Sequence, residues 1–252
     1  MRYLVTPLKS LLFAALLASS YATAGTTYVA DFNGPSLDPD LALQTIKNRS
    51  SPAATVVPGV SLPWIAGIDS GYLSLAKTFT LPGHASDDIP MAYTTFATTG
   101  DFVATVTTDS SYDGAGYGGL FFYNNNGFTG IRVDTNAVST DGLGIFNPAY
   151  VSTPAGAVVT LRIARHNDTL TRSYKPDGAS NFIVLSSITN PLLLGDAYFD
   201  MSVYSNQMYA TALLFQHLTI TQVPEPQTFA MLLAGLAVIG RRTRRRPASW
   251  PR

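Results

Sequence analysis

The chain has 252 residues, and its formal charge of zero hides a segregation. Eight of its sixteen cations lie in the two ends, leaving fifteen aspartates against eight lysines and arginines between Gly25 and Gln222, a net of −7. That balance excludes nucleic-acid binding through a basic patch. Cysteine is absent, which excludes a disulfide framework, a thiolate metal site and a cysteine nucleophile.

The amino end carries Arg2 and Lys9, then the apolar run Leu11–Ala18, then Ala22-Thr23-Ala24. Positive region, apolar region and small-residue site in that order make a secretory signal peptide over residues 1–24, with cleavage expected after Ala24. Residues 25–222 have the length of one domain or two small ones. Without disulfides, that part must be stable through its own core.

No helix-length amphipathic pattern occurs there. Short runs suited to strands recur instead, separated by Gly, Asn, Asp and Pro, the pattern of a sandwich or barrel. Strands are predicted at Thr27–Phe32, Tyr72–Lys77, Phe102–Thr108, Gly119–Tyr123 and Gly130–Asp134. Five more follow at Val158–Arg165, Thr169–Tyr174, Ile183–Ser187, Tyr198–Tyr204 and Ala212–Thr221. Asn126-Gly127 and Asn167-Asp168 supply tight turns, and Pro176-Asp177-Gly178 another. In VTLRIAR, Val159, Leu161 and Ile163 share one face while Thr160 and Arg162 share the other, as a half-buried strand requires. The expected fold is a single all-β, antiparallel domain.

The carboxyl end, residues 223–252, has three parts. Val223-Pro224-Glu225-Pro226 holds the only glutamate of the chain, Thr228–Gly240 is nearly all apolar, and Arg241, Arg242, Arg244, Arg245 and Arg246 follow. Pro224 and Pro226 lack an N–H and disfavour helix in the residue before them, so Val223 and Glu225 are expected to be extended and accessible. Thirteen helical residues reach about 20 Å, short of the roughly 30 Å hydrocarbon core, so this membrane helix is a marginal anchor. Arginines beside such a span stay cytoplasmic and place the folded part on the other side.

This arrangement resembles the PEP-CTERM sorting signal. The resemblance implies processing by an exosortase, a membrane transpeptidase-like protease of exopolysaccharide-producing Gram-negative bacteria. It implies transient anchoring through the carboxyl-terminal helix and a final place at the cell surface or in the extracellular matrix. Pro247–Arg252 extends past the arginines, where such tails usually stop.

A second resemblance covers most of Tyr28–Thr221. The segments DFNGPSLDPDL, GYLSLAKTF, TGDFVATVTTD, GYGGLFFYNNNGFTGIRVD, VTLRIARHNDTLTRSYKPDG and FQHLTIT are similar in order to the concanavalin A-like lectin/glucanase jelly roll. It implies an antiparallel jelly-roll β-sandwich. Two departures stand out: Leu41 takes the place of a frequent tryptophan after the DP, and Gln44–Ser70 is an extra stretch, read as a surface loop crossing the sandwich edge.

Some members of that superfamily are retaining glycoside hydrolases, in which a glutamate pair sits in an E-x-D-x-x-E-like strand motif, and residues 25–222 contain no glutamate. Asp109 and Asp113 lie in a glycine-rich turn and Asp87-Asp88 in a Pro/Gly loop, where side-chain to backbone bonding accounts for them. His84, His166 and His217 are scattered without metal-ligand spacing, no G-x-S-x-G elbow occurs, and GAGYGG is read as a bend or hairpin. The domain is therefore expected not to be an enzyme, and no cofactor or metal is assigned. A hydrolase or lyase using aspartates is the alternative, a purely structural matrix protein the third reading.

Carbohydrate recognition needs aromatic faces and polar side chains near them. Alternation places Arg132 opposite Ile131 and Val133, Arg162 opposite Leu161 and Ile163, and Arg172 beside Tyr174. With Tyr123, these residues are expected to line the concave sheet as a face for extracellular polysaccharide.

Overall fold

The computed structural model describes residues 25–46, 64–69, 71–77, 89–109, 116–134, 137–143, 150–152, 158–205 and 211–223. The signal peptide, the tail beyond Val223 (with its expected membrane helix) and His84, Asp87, Asp88 and Asp113 lie outside the described residues.

Fifteen strands are formed in the described residues. The first five are β1 (Thr27–Ala30), β2 (Leu41–Ile46), β3 (Trp64–Asp69), β4 (Tyr72–Lys77) and β5 (Ile89–Thr94). Then come β6 (Asp101–Asp109), β7 (Gly116–Asn124), β8 (Gly127–Val133), β9 (Ala137–Leu143) and β10 (Tyr150–Ser152). The last five are β11 (Val158–His166), β12 (Thr169–Pro176), β13 (Ile183–Thr189), β14 (Tyr198–Ser205) and β15 (Thr211–Val223). They assemble into two antiparallel sheets. One has the order β13-β12-β11-β6-β15-β4-β3, with β1 also on β15, and the other β10-β9-β8-β7-β14-β5-β2. This is the jelly-roll β-sandwich expected from the sequence.

Two-residue alternation decides what lies between the sheets. On β11, Val159, Leu161 and Ile163 are buried while Thr160 and Arg162 face out. On β8, Ile131 and Val133 go inward, and on β14 Phe199, Met201 and Val203 do. The centre is an aromatic group: Phe102 lies 5.8 Å from Phe122 and 4.9 Å from Phe199, ring centre to ring centre. Burying each such ring contributes about 1.5–3 kcal/mol.

Beside this group sits a buried guanidinium. Nε of Arg165 donates to the Gly100 carbonyl at 2.8 Å, and Nη1 to the Leu193 and Gly195 carbonyls at 2.7 and 2.9 Å. Nη2 also donates to Gly100, and the guanidinium carbon lies 4.7 Å from the centre of the Phe102 ring. One side chain thereby ties together two loops, giving their carbonyls partners that water would otherwise supply.

The structure corrects three sequence expectations. Gln44–Ser70 is not only a loop: it includes the end of β2 and all of β3, which pairs with β4 from Trp64↔Lys77 to Asp69↔Tyr72. In the turn before β4, Gly71 has a φ of +86° and packs where a Cβ would meet Asn33 Oδ1 at 2.9 Å, so glycine is what fits there. Gly116–Gly119 is not a bend but the start of β7. Strands β2, β5, β9 and β10 had no sequence counterpart.

Candidate functional site

The five residues expected to share one face are divided among three environments. Tyr123 on β7 and Arg132 on β8 stand on the outer face of the seven-stranded sheet, opposite the inward Phe122 and Ile131. Arg162 on β11 stands on the outer face of the other sheet, its Nε donating to Ser173 Oγ at 2.8 Å. Arg172 and Tyr174 on β12 do share a face, but it is the interior. Tyr174 belongs to the core, and Arg172 is wholly buried with Nη1 donating to Thr129 Oγ1 of β8 at 2.8 Å. The reason lies in Leu170, whose burial sets the parity of the strand and carries Arg172 and Tyr174 inward with it. Burial pushes the Arg172 guanidinium down to about 10.

Around Arg132 the outer face is built as a strip across four adjacent strands. Tyr204 on β14 pairs in register with Tyr117 on β7, their ring centres 4.8 Å apart. The Arg132 guanidinium carbon lies 4.0 Å from the centre of the Tyr117 ring. Its Nε donates to Ser139 Oγ at 2.8 Å, and Nη1 meets Asp141 Oδ2 at 3.3 Å, both partners on β9. The Arg132 side chain is 30% exposed and that of Asp141 21%, so the fork is held yet reachable. Local sequence makes room for this packing. Gly119 stands opposite Arg132, and Gly130 lies where an added Cβ would overlap Cδ1 of Phe121.

Much of the rest of the face is aromatic. Tyr123 packs against Phe128 at 5.8 Å and, with Tyr93 and Tyr204, against buried Ile89 and Met91. One cross-strand row runs Asp141, Gly130, Phe121, Asp200, Tyr93, so it carries two carboxylates, and Asp200 is 1% exposed. Three strand spacings separate them, roughly 14 Å between Cα atoms. Tyr117, Tyr204, Ser139, Asp141 and Asp200 were not among the expected site residues. Tyr204 and Asp200 were within reach, since Tyr198, Asp200, Ser202 and Tyr204 fall on one face of a predicted strand.

Of the other aspartates, Asp101 is engaged structurally: Oδ2 lies 2.6 Å from His166 Nδ1 and Oδ1 accepts from the Asn167 N–H at 2.6 Å. This fixes the β11–β12 turn, where Asn167 has a φ of 53°. Among the described residues no three His, Asp or Glu side chains stand together as metal ligands would.

Residues 222–246 match the family model described as the PEP-CTERM protein-sorting motif. The tail is a PEP-CTERM sorting motif. It marks the chain as an exported, exosortase-processed surface protein, as the resemblance implied. The PEP-CTERM motif covers only the tail; no curated protein matches the chain.

For the domain, solved structures share the fold. A Bacteroides ovatus protein titled "Xyloglucan PUL GH43B" aligns with a TM-score of 0.55 at 12% identity, over 77% of this chain and 39% of its own. The Bacillus licheniformis β-glucanase aligns with a TM-score of 0.55 at 13% identity, over 79% of this chain and 99% of its own. The CBM2 module of a Lactobacillus casei BL23 phage J-1 evolved Dit aligns with a TM-score of 0.56 at 13% identity, over 80% and 98%. The chain thus spans well under half of the first of these and nearly all of the other two. These likenesses overturn the expectation that the domain is not an enzyme. Glycoside hydrolases stand among its structural neighbours at 12–13% identity, and the missing glutamates remove the E-x-D-x-x-E-like pair alone.

Proposed function

We propose that the exported domain engages extracellular polysaccharide on the outer face of the seven-stranded sheet. The observation that carries this reading is the Tyr204–Tyr117–Arg132 strip with Ser139 and Asp141 at its end. Tyrosine faces stack on the apolar faces of sugar rings, while the guanidinium, hydroxyl and carboxylate meet ring hydroxyls. Because Arg132 is already held by Ser139 and Asp141, little side-chain freedom is lost when a ligand arrives. The export signal adds the setting: a matrix or cell surface where such chains are abundant, in a Gram-negative exopolysaccharide producer. Residues 25–222 act as the delivered domain and 223–252 as the sorting segment.

The test is binding of soluble glucans and xylans to the purified protein. Tyr117→Ala is expected to weaken binding about tenfold or more, as central aromatic anchors do. Unchanged affinity in that variant, with the fold intact, would move the ligand off this face. A mass measurement of the protein recovered from cells should show loss of Arg241–Arg246.

A second reading is favoured by Asp200, a carboxylate buried on the same face beside Phe121 and Tyr93. Hydrolysis there would run through Asp200, since Asp141 is farther away than the roughly 5–9.5 Å of a direct carboxylate pair. Release of reducing ends by the wild type and its loss in Asp200→Asn would establish that reading.

A further inference from the structure

The outer face of the other sheet carries a separate cluster. Phe182, just before β13, meets two cations: the Arg162 guanidinium carbon lies 4.0 Å and Lys175 Nζ 5.6 Å from its ring centre. Strand register produces the meeting. One row reads Thr105, Arg162, Ser173 and the next Thr107, Thr160, Lys175, so Arg162 and Lys175 are diagonal neighbours on one face. The bond from Nε to Ser173 Oγ orients the guanidinium. Among the described residues its terminal nitrogens have no hydrogen-bond partner.

The charge environment makes this cluster unusual. Aspartates outnumber cations fifteen to eight between Gly25 and Gln222; Arg132 meets Asp141 and His166 meets Asp101, while Arg165 and Arg172 are buried against carbonyl and hydroxyl partners. Among the described residues no carboxylate lies within ion-pairing distance of Arg162 or Lys175. Asp109 stands one row further along β6 and Asp177 in the turn after β12, and neither closes on them. Two like charges gathered on one ring repel, and an arriving anion relieves that repulsion. Around them stand the hydroxyls of Thr105, Thr107, Thr160 and Ser173, with Thr107 and Thr160 bonded to each other at 3.1 Å. All four are on strands, so their spacing is fixed.

We propose that this cluster is a second binding site, for an acidic polysaccharide. Arg162 and Lys175 take the carboxylate of a uronic acid residue, the guanidinium with its two terminal nitrogens and the ammonium as a point charge. The neighbouring threonine hydroxyls meet the hydroxyls of the sugar ring. Only two cations are present, too few for an extended phosphate polymer, whose affinity comes from many neutralised phosphates. The site shares no residue with the Tyr204–Tyr117–Arg132 strip, so each can fail alone.

The test uses the detergent-solubilised full chain and measures affinity for polygalacturonate and for dextran by calorimetry at low and high salt. Arg162→Gln with Lys175→Gln is expected to weaken polygalacturonate binding about tenfold or more and to leave dextran binding unchanged. Tyr117→Ala is expected to leave polygalacturonate binding intact, and high salt to weaken it in the wild type. Lys175→Glu, a single change at a half-buried surface position, checks the result if the double variant unfolds, and it too should weaken binding. Equal polygalacturonate affinity in wild type and Lys175→Glu would overturn the proposal. Equally tight binding of phosphatidylglycerol vesicles or single-stranded DNA, lost in the same variants, would also overturn it by showing a general anion site.

Discussion

Arg172→Met isolates the cost of carrying a charge between the sheets. Arg172 is fully buried, bonded to Thr129 across the sandwich, and burial pushes its guanidinium down to about 10. At about 1.4 kcal/mol per pH unit, so large a displacement corresponds to a native-state cost of about 3 kcal/mol for the charged form at neutral pH. The hydrogen bond to Thr129 offsets about 1.5–3 kcal/mol of it. Methionine fills most of the same space and removes both terms, so Arg172→Met is expected to match the wild type within about 1 kcal/mol or to exceed it. Below about pH 10 Arg172 is charged in both folded and unfolded chains, so the difference between the two proteins should be constant from about pH 5 to 9. Above about pH 10 the folded chain gives up the proton while the unfolded chain keeps it, and the wild type should gain on the variant as pH rises. Urea midpoints with a common m-value read the difference. A loss of more than about 3 kcal/mol in Arg172→Met at pH 7 would refute this reasoning, because the bonds of the guanidinium would then outweigh its desolvation.

Three further outcomes are expected. Gly130→Val forces a side chain into the Phe121 ring and to 2.7 Å from the Leu120 carbonyl; it should cost about 1–3 kcal/mol in urea unfolding and weaken glycan binding with it. Arg165→Leu strips partners from the carbonyls of Gly100, Leu193 and Gly195; a loss of about 3 kcal/mol or more and early proteolytic cutting near residues 191–196 should follow. Burial, with Asp38 next to it, holds the Tyr28 hydroxyl well above the ordinary phenol range. The folded chain then keeps a proton that the unfolded chain loses above about pH 10, so stability falls as pH rises there. Tyr28→Phe should flatten that fall in alkaline unfolding curves.

The legible parts of the sequence were those where one local rule acts alone. VTLRIAR shows its alternation without interference, and Asn167-Asp168 closes the β11–β12 hairpin between His166 and Thr169. Arg132 and Tyr123 were placed on the correct side of their strands because Ile131, Val133 and Phe122 dictate it. Arg172 was misplaced because its charge suggested solvent, although Leu170 and Tyr174 on the same strand had already chosen the interior. Strand β9 went unseen because Ala137–Leu143 has little apolar character of its own; its pairing with β8 makes it a strand. Tyr117 was missed for a related reason: surrounding glycines suggest a bend until close packing against β8 and β14 demands them. The sorting motif of the tail was readable, because such a signal is read in linear order.

Strand β15 pairs with β4 through residues 211–215 and with β1 through residues 218–221, with His217 at a φ of 50° between the two. In its sheet it lies between β6 and β4. The last of the described strands to leave the ribosome is therefore the keystone of that layer, and the layer has a gap at its middle until that strand arrives. A chain crossing a membrane amino end first stays open and threadable for almost its entire passage, and closure coincides with delivery of the sorting segment that directly follows.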